Sequence, residues 1–121
     1  MDISKEIAKL KEDPQFAQNV GMVLVHNGTV RAWSRQSKEN VEYLEVHPDY
    51  DKIAAIREEF LGREGIYAIV IEALEGRFKP GDDLLYMIVA GDIRENVKPA
   101  LADLLDRIKA EAVNKKEIIT A

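Results

Sequence analysis

Apolar residues recur at helical spacing in three segments of the chain, and these segments are predicted to be helices. The first covers residues 2–12 and ends before Pro14. The second opens at Pro48-Asp49 and runs to about Phe60, with Gly62 just beyond its end. The third runs from about residue 95 to residue 112, with Pro99 in its first turn or at a kink. Its predicted buried stripe consists of Val97, Leu101, Leu104, Leu105, Ile108 and Ala112.

Five shorter apolar stretches predict strands. Residues 21–26 and 29–34 are expected to pair as a hairpin, because Asn27-Gly28 is a favoured two-residue turn. After a polar loop, residues 41–47 form the third strand. Residues 66–74 and 84–90 form the last two, separated by a turn at 80–82. The order α-β-β-β-α-β-β-α predicts an α+β fold with a mixed or antiparallel sheet, in a single domain over residues 1–121.

Composition narrows the classes of function. The net charge of −5 argues against nucleic acid as the main partner, because phosphate binding requires a basic face. The absence of cysteine excludes a disulfide, a thiolate metal site and sulfur carried on a thiol of this chain. The two histidines have no metal-binding spacing, so we expect no bound metal. There is no apolar run of the roughly 20 residues that a membrane span needs, and the charged first residues predict a cytoplasmic location.

Six short patterns occur in order along the chain. They are GMV…GTVR at 21–31, LE at 44–45 before the second helix, GRFKPGD at 76–82, AGDIR at 90–94, DRIK at 106–109 and NKKE at 114–117. In this order and spacing, over about residues 2–117, they resemble the large, catalytic subunit of molybdopterin synthase. The resemblance implies an α+β fold with an α/β-hammerhead part, in agreement with the predicted element order.

The chain departs from the family pattern at two marked positions. Ile93 stands where the family has a histidine, and Asn114 stands where it has a tryptophan. One residue is also deleted near Asn114, so either Lys115 or Lys116 fills the place of the family's terminal lysine.

The resemblance implies a sulfur-transfer reaction that needs no cofactor on this chain. A small ubiquitin-like subunit would bring sulfur as a C-terminal thiocarboxylate. The sulfur would pass in two rounds to cyclic pyranopterin monophosphate, forming the dithiolene of molybdopterin. Both reactants are anionic, so the site needs converging cations.

The same resemblance assigns roles to five cations. Arg31 and Arg94 are expected to bind the phosphate or the carboxylate, and Lys109 to carry the chemistry. Lys116 is expected to be the second catalytic lysine, with Lys115 as its rival or as a further substrate contact. By residue pattern alone, each of these five is more simply a solvated surface cation.

A length argument predicts a composite site. Arg94 and Lys109 are 15 residues apart on or beside one helix, which corresponds to roughly 22 Å. One small ligand cannot readily contact both. We therefore expect a homodimer with pockets formed across the interface, within a heterotetramer that includes the small subunit.

Two other interpretations stay open from the sequence. The runner-up is a non-catalytic relative that binds a small anion or a ubiquitin-like partner, favoured by Ile93 and Asn114. The other is an unrelated α+β ligand-binding domain.

Overall fold

The computed structural model describes residues 1–120 and shows ten elements. The helices are α1 (Ile3–Glu12), α2 (Phe16–Asn19), α3 (Tyr50–Leu61) and α4 (Arg94–Glu111). The strands are β1 (Met22–Thr29), β2 (Val41–Pro48), β3 (Ile66–Ala73), β4 (Gly76–Phe78), β5 (Asp83–Gly91) and β6 (Val113–Ile119).

Local sequence explains where the helices begin. Asp2 and Asp49 cap α1 and α3, each accepting a hydrogen bond at 3.1 Å from the backbone N–H three residues later. The cap of α3 is preceded by Pro48 at the end of β2, as the sequence predicts. Pro99 lies in the second turn of α4 rather than in its first.

The strands form two three-stranded antiparallel sheets, in the orders β1-β5-β3 and β4-β2-β6. Strand β5 is the most buried element, with every residue from 84 to 91 enclosed, because β1 and β3 flank it on both edges. The α+β class is therefore confirmed, and every pairing in the described residues is antiparallel rather than mixed.

Helix α4 packs on the first sheet and α3 packs on both α4 and β3. The core lies between them, where Phe60, Met87, Leu104 and Ile108 are at most 2% exposed. Of the predicted α4 stripe, Val97, Leu104, Ile108 and Ala112 are buried, whereas Leu101 and Leu105 are half-buried at its margin.

The predicted Asn27-Gly28 hairpin is wrong. Both residues lie inside β1, opposite Tyr86 and Leu85 of β5, and neither has the positive φ that the turn requires. Asn27 is held in this strand by a hydrogen bond from its side chain to Asp83 (3.1 Å). The long pairing with β5 outweighs the local turn preference, and residues 30–40 run as a connection to β2.

Three elements lie outside the predicted order. Helix α2 is a single turn, and β4 has three residues, so neither has enough length for a periodic signal. Strand β6 has four consecutive exposed residues instead of an alternating pattern, and it pairs with β2 over its whole length.

Candidate functional site

Three cations from distant parts of the chain converge at one end of α4. Arg31 follows β1, and its position is fixed by its neighbour Val30, which is buried and donates to the carbonyl of Asp82 (3.0 Å). Lys109 lies in the last turn of α4. The chain then turns at Ala112 into β6, which brings Lys115 back beside Lys109. The fold thus assembles a basic cluster, Arg31, Lys109 and Lys115.

The electrostatics of Lys115 show how closely the three charges approach. Partial burial, followed by the nearby charges of Lys109 and Arg31, lowers the pKa of Lys115 from its ordinary value; Glu117 opposes the shift. Lys115 remains exposed as a whole residue, so the desolvation is partial. A lysine with a lowered pKa gives up its proton more readily than an ordinary surface lysine.

The register of β6 separates the two candidate terminal lysines. Lys115 is opposite the buried Val46 of β2, whereas Lys116 is opposite Glu45. Successive side chains in a strand point to opposite faces of the sheet. Lys115 therefore faces the basic cluster, and Lys116 lies on the other face, beside the Glu45–Arg77 ion pair (3.1 Å).

Arg31 is held in place by the connection that follows β1. Its guanidinium carbon is 4.9 Å from the ring centroid of Trp33, and its Nε donates to the Trp33 carbonyl (3.4 Å). The buried Ser34 donates to Glu117 of β6 (3.0 Å), which ties this connection to the strand that carries Lys115. The support from Ser34 was not predicted, because its contact with Glu117 joins two residues that are 83 positions apart in the sequence.

Within residues 1–120, the members of the basic cluster have no salt-bridge partner, unlike most arginines of this chain. Arginines at positions 57, 63, 77, 94 and 107 each contact a carboxylate. The three like charges repel one another, and the attraction of Glu117 offsets this repulsion at Lys115 only in part. Such a group is suited to an anionic ligand.

His26 is a further member of this region that sequence reasoning missed. It follows Met22 and Leu24 on the inward face of β1, and its Nε2 is buried without a hydrogen-bond partner among the described residues. Burial and then the charges of Lys109 and Lys115 lower its pKa, so the imidazole is neutral at pH 7. The sequence signal that could have identified His26 is its place in the alternating pattern of β1, at a position that faces inward.

Arg94 lies at the opposite end of α4 and does not join the cluster. It is the first residue of α4, forms an ion pair with Glu95 (3.4 Å) and lines a cleft of about 490 Å³ with Gly21, Met22, Asp92, Ile93 and Glu95. The Asp92 carboxylate accepts from the backbone N–H of Ile93 (2.6 Å) and so occupies part of the helix N-terminus. Two carboxylates thus reduce the attraction of this end for an anion.

Ile93 is 53% exposed in this cleft. Its side chain offers no proton donor or acceptor at the position where the family resemblance predicts a histidine.

Two negative findings apply to residues 1–120. This part of the chain has no group of three or more histidine or acidic residues arranged to hold a metal ion. None of its helices is long and apolar enough to cross a membrane.

Comparison with known proteins agrees with this fold. The family model described as MoaE protein matches residues 1–111, and this chain belongs to that family. A probable molybdopterin synthase of Haloferax volcanii is 28% identical over 120 residues, which is 94% of this chain and 45% of that protein. The chain therefore spans about half the length of this relative.

Solved structures share the fold. Molybdopterin synthase from Staphylococcus aureus superposes with a TM-score of 0.72 at 27% identity, covering 84% of this chain and 76% of that one. Molybdopterin cofactor biosynthesis protein E from Burkholderia multivorans gives a TM-score of 0.75 at 23% identity, covering 99% and 82%. The Helicobacter pylori complex of subunits 1 and 2 of molybdopterin-converting factor gives a TM-score of 0.70 at 19% identity, covering 98% of this chain and 80% of that chain.

Proposed function

We propose that this chain is the catalytic large subunit of a molybdopterin synthase and acts in the cytoplasm. It transfers sulfur from the C-terminal thiocarboxylate of a small ubiquitin-like subunit to cyclic pyranopterin monophosphate, forming the molybdopterin dithiolene. Membership of the family and the likeness to the Staphylococcus aureus enzyme support this activity. The Helicobacter pylori structure, a complex of two subunits, supports the partner.

The observation that carries the proposal is the cluster of Arg31, Lys109 and Lys115. Both reactants are anions, and within residues 1–120 no member of the cluster is engaged in a salt bridge, although Glu117 partly offsets the charge near Lys115. Arg31 is suited to a two-pronged contact, because stacking on Trp33 orients the guanidinium and only its Nε is engaged.

The two lysines have different roles in this proposal. The thiocarboxylate sulfur forms a bond to a side-chain carbon of the precursor, and the oxygen substituent on that carbon leaves. Water then cleaves the bond between the carrier's acyl carbon and the sulfur, so that the sulfur stays on the pterin and the carrier ends in a carboxylate. Lys109 holds the acyl oxygen as negative charge develops there. Lys115, with its lowered pKa, donates and recovers a proton during the exchange. We assign the terminal role to Lys115 because Lys116 faces the other side of the sheet.

Arg94 enters this proposal through a second copy of the chain. It and Lys109 lie on one continuous helix, roughly 22 Å apart, so a common ligand would require Arg94 from a partner protomer. We therefore include a homodimer within a heterotetramer, with Arg94 contributing to the substrate pocket of the neighbouring subunit.

Reconstitution tests the activity. The chain is mixed with the thiocarboxylated small subunit and cyclic pyranopterin monophosphate, and dithiolene product is quantified. We expect Lys109→Ala and Lys115→Met each to lower the rate by roughly a hundredfold or more, in the range seen when a charge-stabilising donor is removed. Lys116→Met is the matched control, because it removes the neighbouring charge from the other face, and we expect near-normal product.

Other outcomes would redirect the proposal. A stable complex with the small subunit but no product would favour the non-catalytic relative that Ile93 and Asn114 suggest. Loss of product in Lys116→Met but not in Lys115→Met would refute the assignment of the terminal lysine. Failure to bind the small subunit would remove the sulfurtransferase function altogether.

A further inference from the structure

The imidazole of His26 has an unused hydrogen-bonding atom near the basic cluster. Its Nε2 is buried and unpartnered among residues 1–120, although a buried polar atom without a partner is destabilising. The ring lies over Gly28, since a Cβ on that residue would be only 3.1 Å from Nε2. Helix α4, which carries Lys109 in its last turn, packs on the strand that carries His26.

The neighbours of His26 restrict which partner Nε2 can take. Lys109 from α4 and Lys115 from β6 are the charged groups that act on it, and Met87, its partner on β5, is apolar. Ammonium groups only donate hydrogen bonds. A neutral imidazole among donors is satisfied when Nε2 carries the lone pair and Nδ1 carries the proton.

Ligand binding supplies the reason for the contact. An anion in the cluster would draw the Lys109 ammonium out of water, and its three N–H groups would each then need an acceptor. A small anion occupies one or two of these donors. The unpartnered Nε2 of His26 is an acceptor available for another.

We propose that His26 is a positioning residue of this site, whose neutral Nε2 accepts a hydrogen bond from the Lys109 ammonium once an anion occupies the cluster. The identity of that anion rests on the proposed sulfurtransferase function, whereas the contact itself does not. The contact holds the Lys109 ammonium in the orientation in which its other N–H groups point toward the reacting group.

Kinetics of two variants separate a positioning role from a packing role. His26→Phe keeps an aromatic ring but removes the acceptor, and we expect kcat to fall roughly tenfold or more with little change in KM. His26→Gln restores a side-chain acceptor, and we expect activity within about threefold of the original. His47→Phe is the control, because His47 is exposed on β2 and is not among the groups that shift His26.

The pH profile gives a second readout. Protonation of His26 removes the acceptor, so activity should decline as the pH falls through its pKa, which lies below the ordinary 6.5. His26→Gln should lack that decline. Full activity in His26→Phe, or equal losses in His26→Phe and His26→Gln, would overturn the proposal.

Nitrogen NMR of the unmodified protein tests the contact without relying on activity. With inorganic phosphate as the probe, we expect Nε2 of His26 to be the unprotonated nitrogen and to shift on phosphate addition, and Lys109→Met to abolish that shift. A protonated Nε2, or no response at any phosphate concentration, would overturn the proposal. If reconstitution gives no product while the phosphate response is present, the sulfurtransferase function fails and the His26–Lys109 contact stands.

Discussion

Replacing Lys115 with methionine should stabilise the protein while it removes activity. Methionine keeps the apolar stem of the side chain and deletes the ammonium, whose pKa is lowered by partial burial and by Lys109 and Arg31. Since these effects outweigh the attraction of Glu117, the charge of Lys115 is unfavourable in the folded state.

The expected gain is modest because Lys115 is exposed as a whole residue. Solvent screening limits the effect to about 0.5 kcal/mol in the free energy of unfolding at pH 7. For a chain of 121 residues this corresponds to a rise in Tm of roughly 2 °C. Lys116→Met should leave Tm unchanged within error, because Lys116 lies on the other face of the sheet.

The penalty from the Lys115 charge should depend on pH, and the direction of that dependence follows from its pKa. The pKa of Lys115 is lower in the folded protein than in the unfolded chain, where it is near 10.5, so between the two values the unfolded chain binds more protons. The penalty is fully present below the folded-state pKa, and stability recovers as the pH rises toward 10.5. The advantage of Lys115→Met should therefore shrink at high pH.

Urea unfolding at pH 7 and near pH 10, at low and high salt, measures these differences. High salt should also reduce the gain, because it screens the repulsion among the cations. A free energy of unfolding for Lys115→Met below that of Lys116→Met at pH 7 would refute the argument that repulsion within the cluster destabilises the fold.

Three further predictions test the core, a backbone constraint and the composite site. Leu104→Ala, at a fully buried position of α4, should lower the free energy of unfolding by about 2–5 kcal/mol in urea melts. Gly65→Ala should be more destabilising than Gly81→Ala in the same melts. Both glycines have positive φ, but a Cβ at Gly65 would also clash with the Asp92 carboxylate, whereas one at Gly81 meets nothing within 4 Å. Re-annealed mixtures of Arg94→Ala and Lys109→Ala should recover about a quarter of the original activity, because half of the dimers are mixed and each has one intact site. No recovery would argue against a composite site.

The helices and the core were largely predictable because their signals are local. Asp49 follows a proline and precedes an apolar run of period 3.6, and the same periodicity places Leu104 and Ile108 on the buried face of α4. These patterns depend only on neighbouring residues and not on tertiary contacts. The hairpin prediction failed because Asn27-Gly28 is only a local preference, and pairing with β5 offered more hydrogen bonds than a turn.

The candidate site depended on contacts that no spacing in the sequence encodes. The resemblance singled out Arg31 and Lys109, yet the register of β6 against β2 decides that Lys115 rather than Lys116 shares their face. His26 was missed because a lone histidine forms no sequence motif. Its place in the candidate site depends on Lys109, which lies on a helix more than eighty residues later in the chain.

The sequence by itself determined the α+β class, the helix limits, the buried stripe of α4 and the resemblance to a sulfur-transfer family. Each follows from periodicity or from short ordered patterns, which act over a few residues. Only the tertiary structure decided which cations meet, which lysine faces them and that Arg94 lies at the far end of α4. Those outcomes depend on strand register and helix length, because a one-residue shift in pairing reverses the face of every side chain.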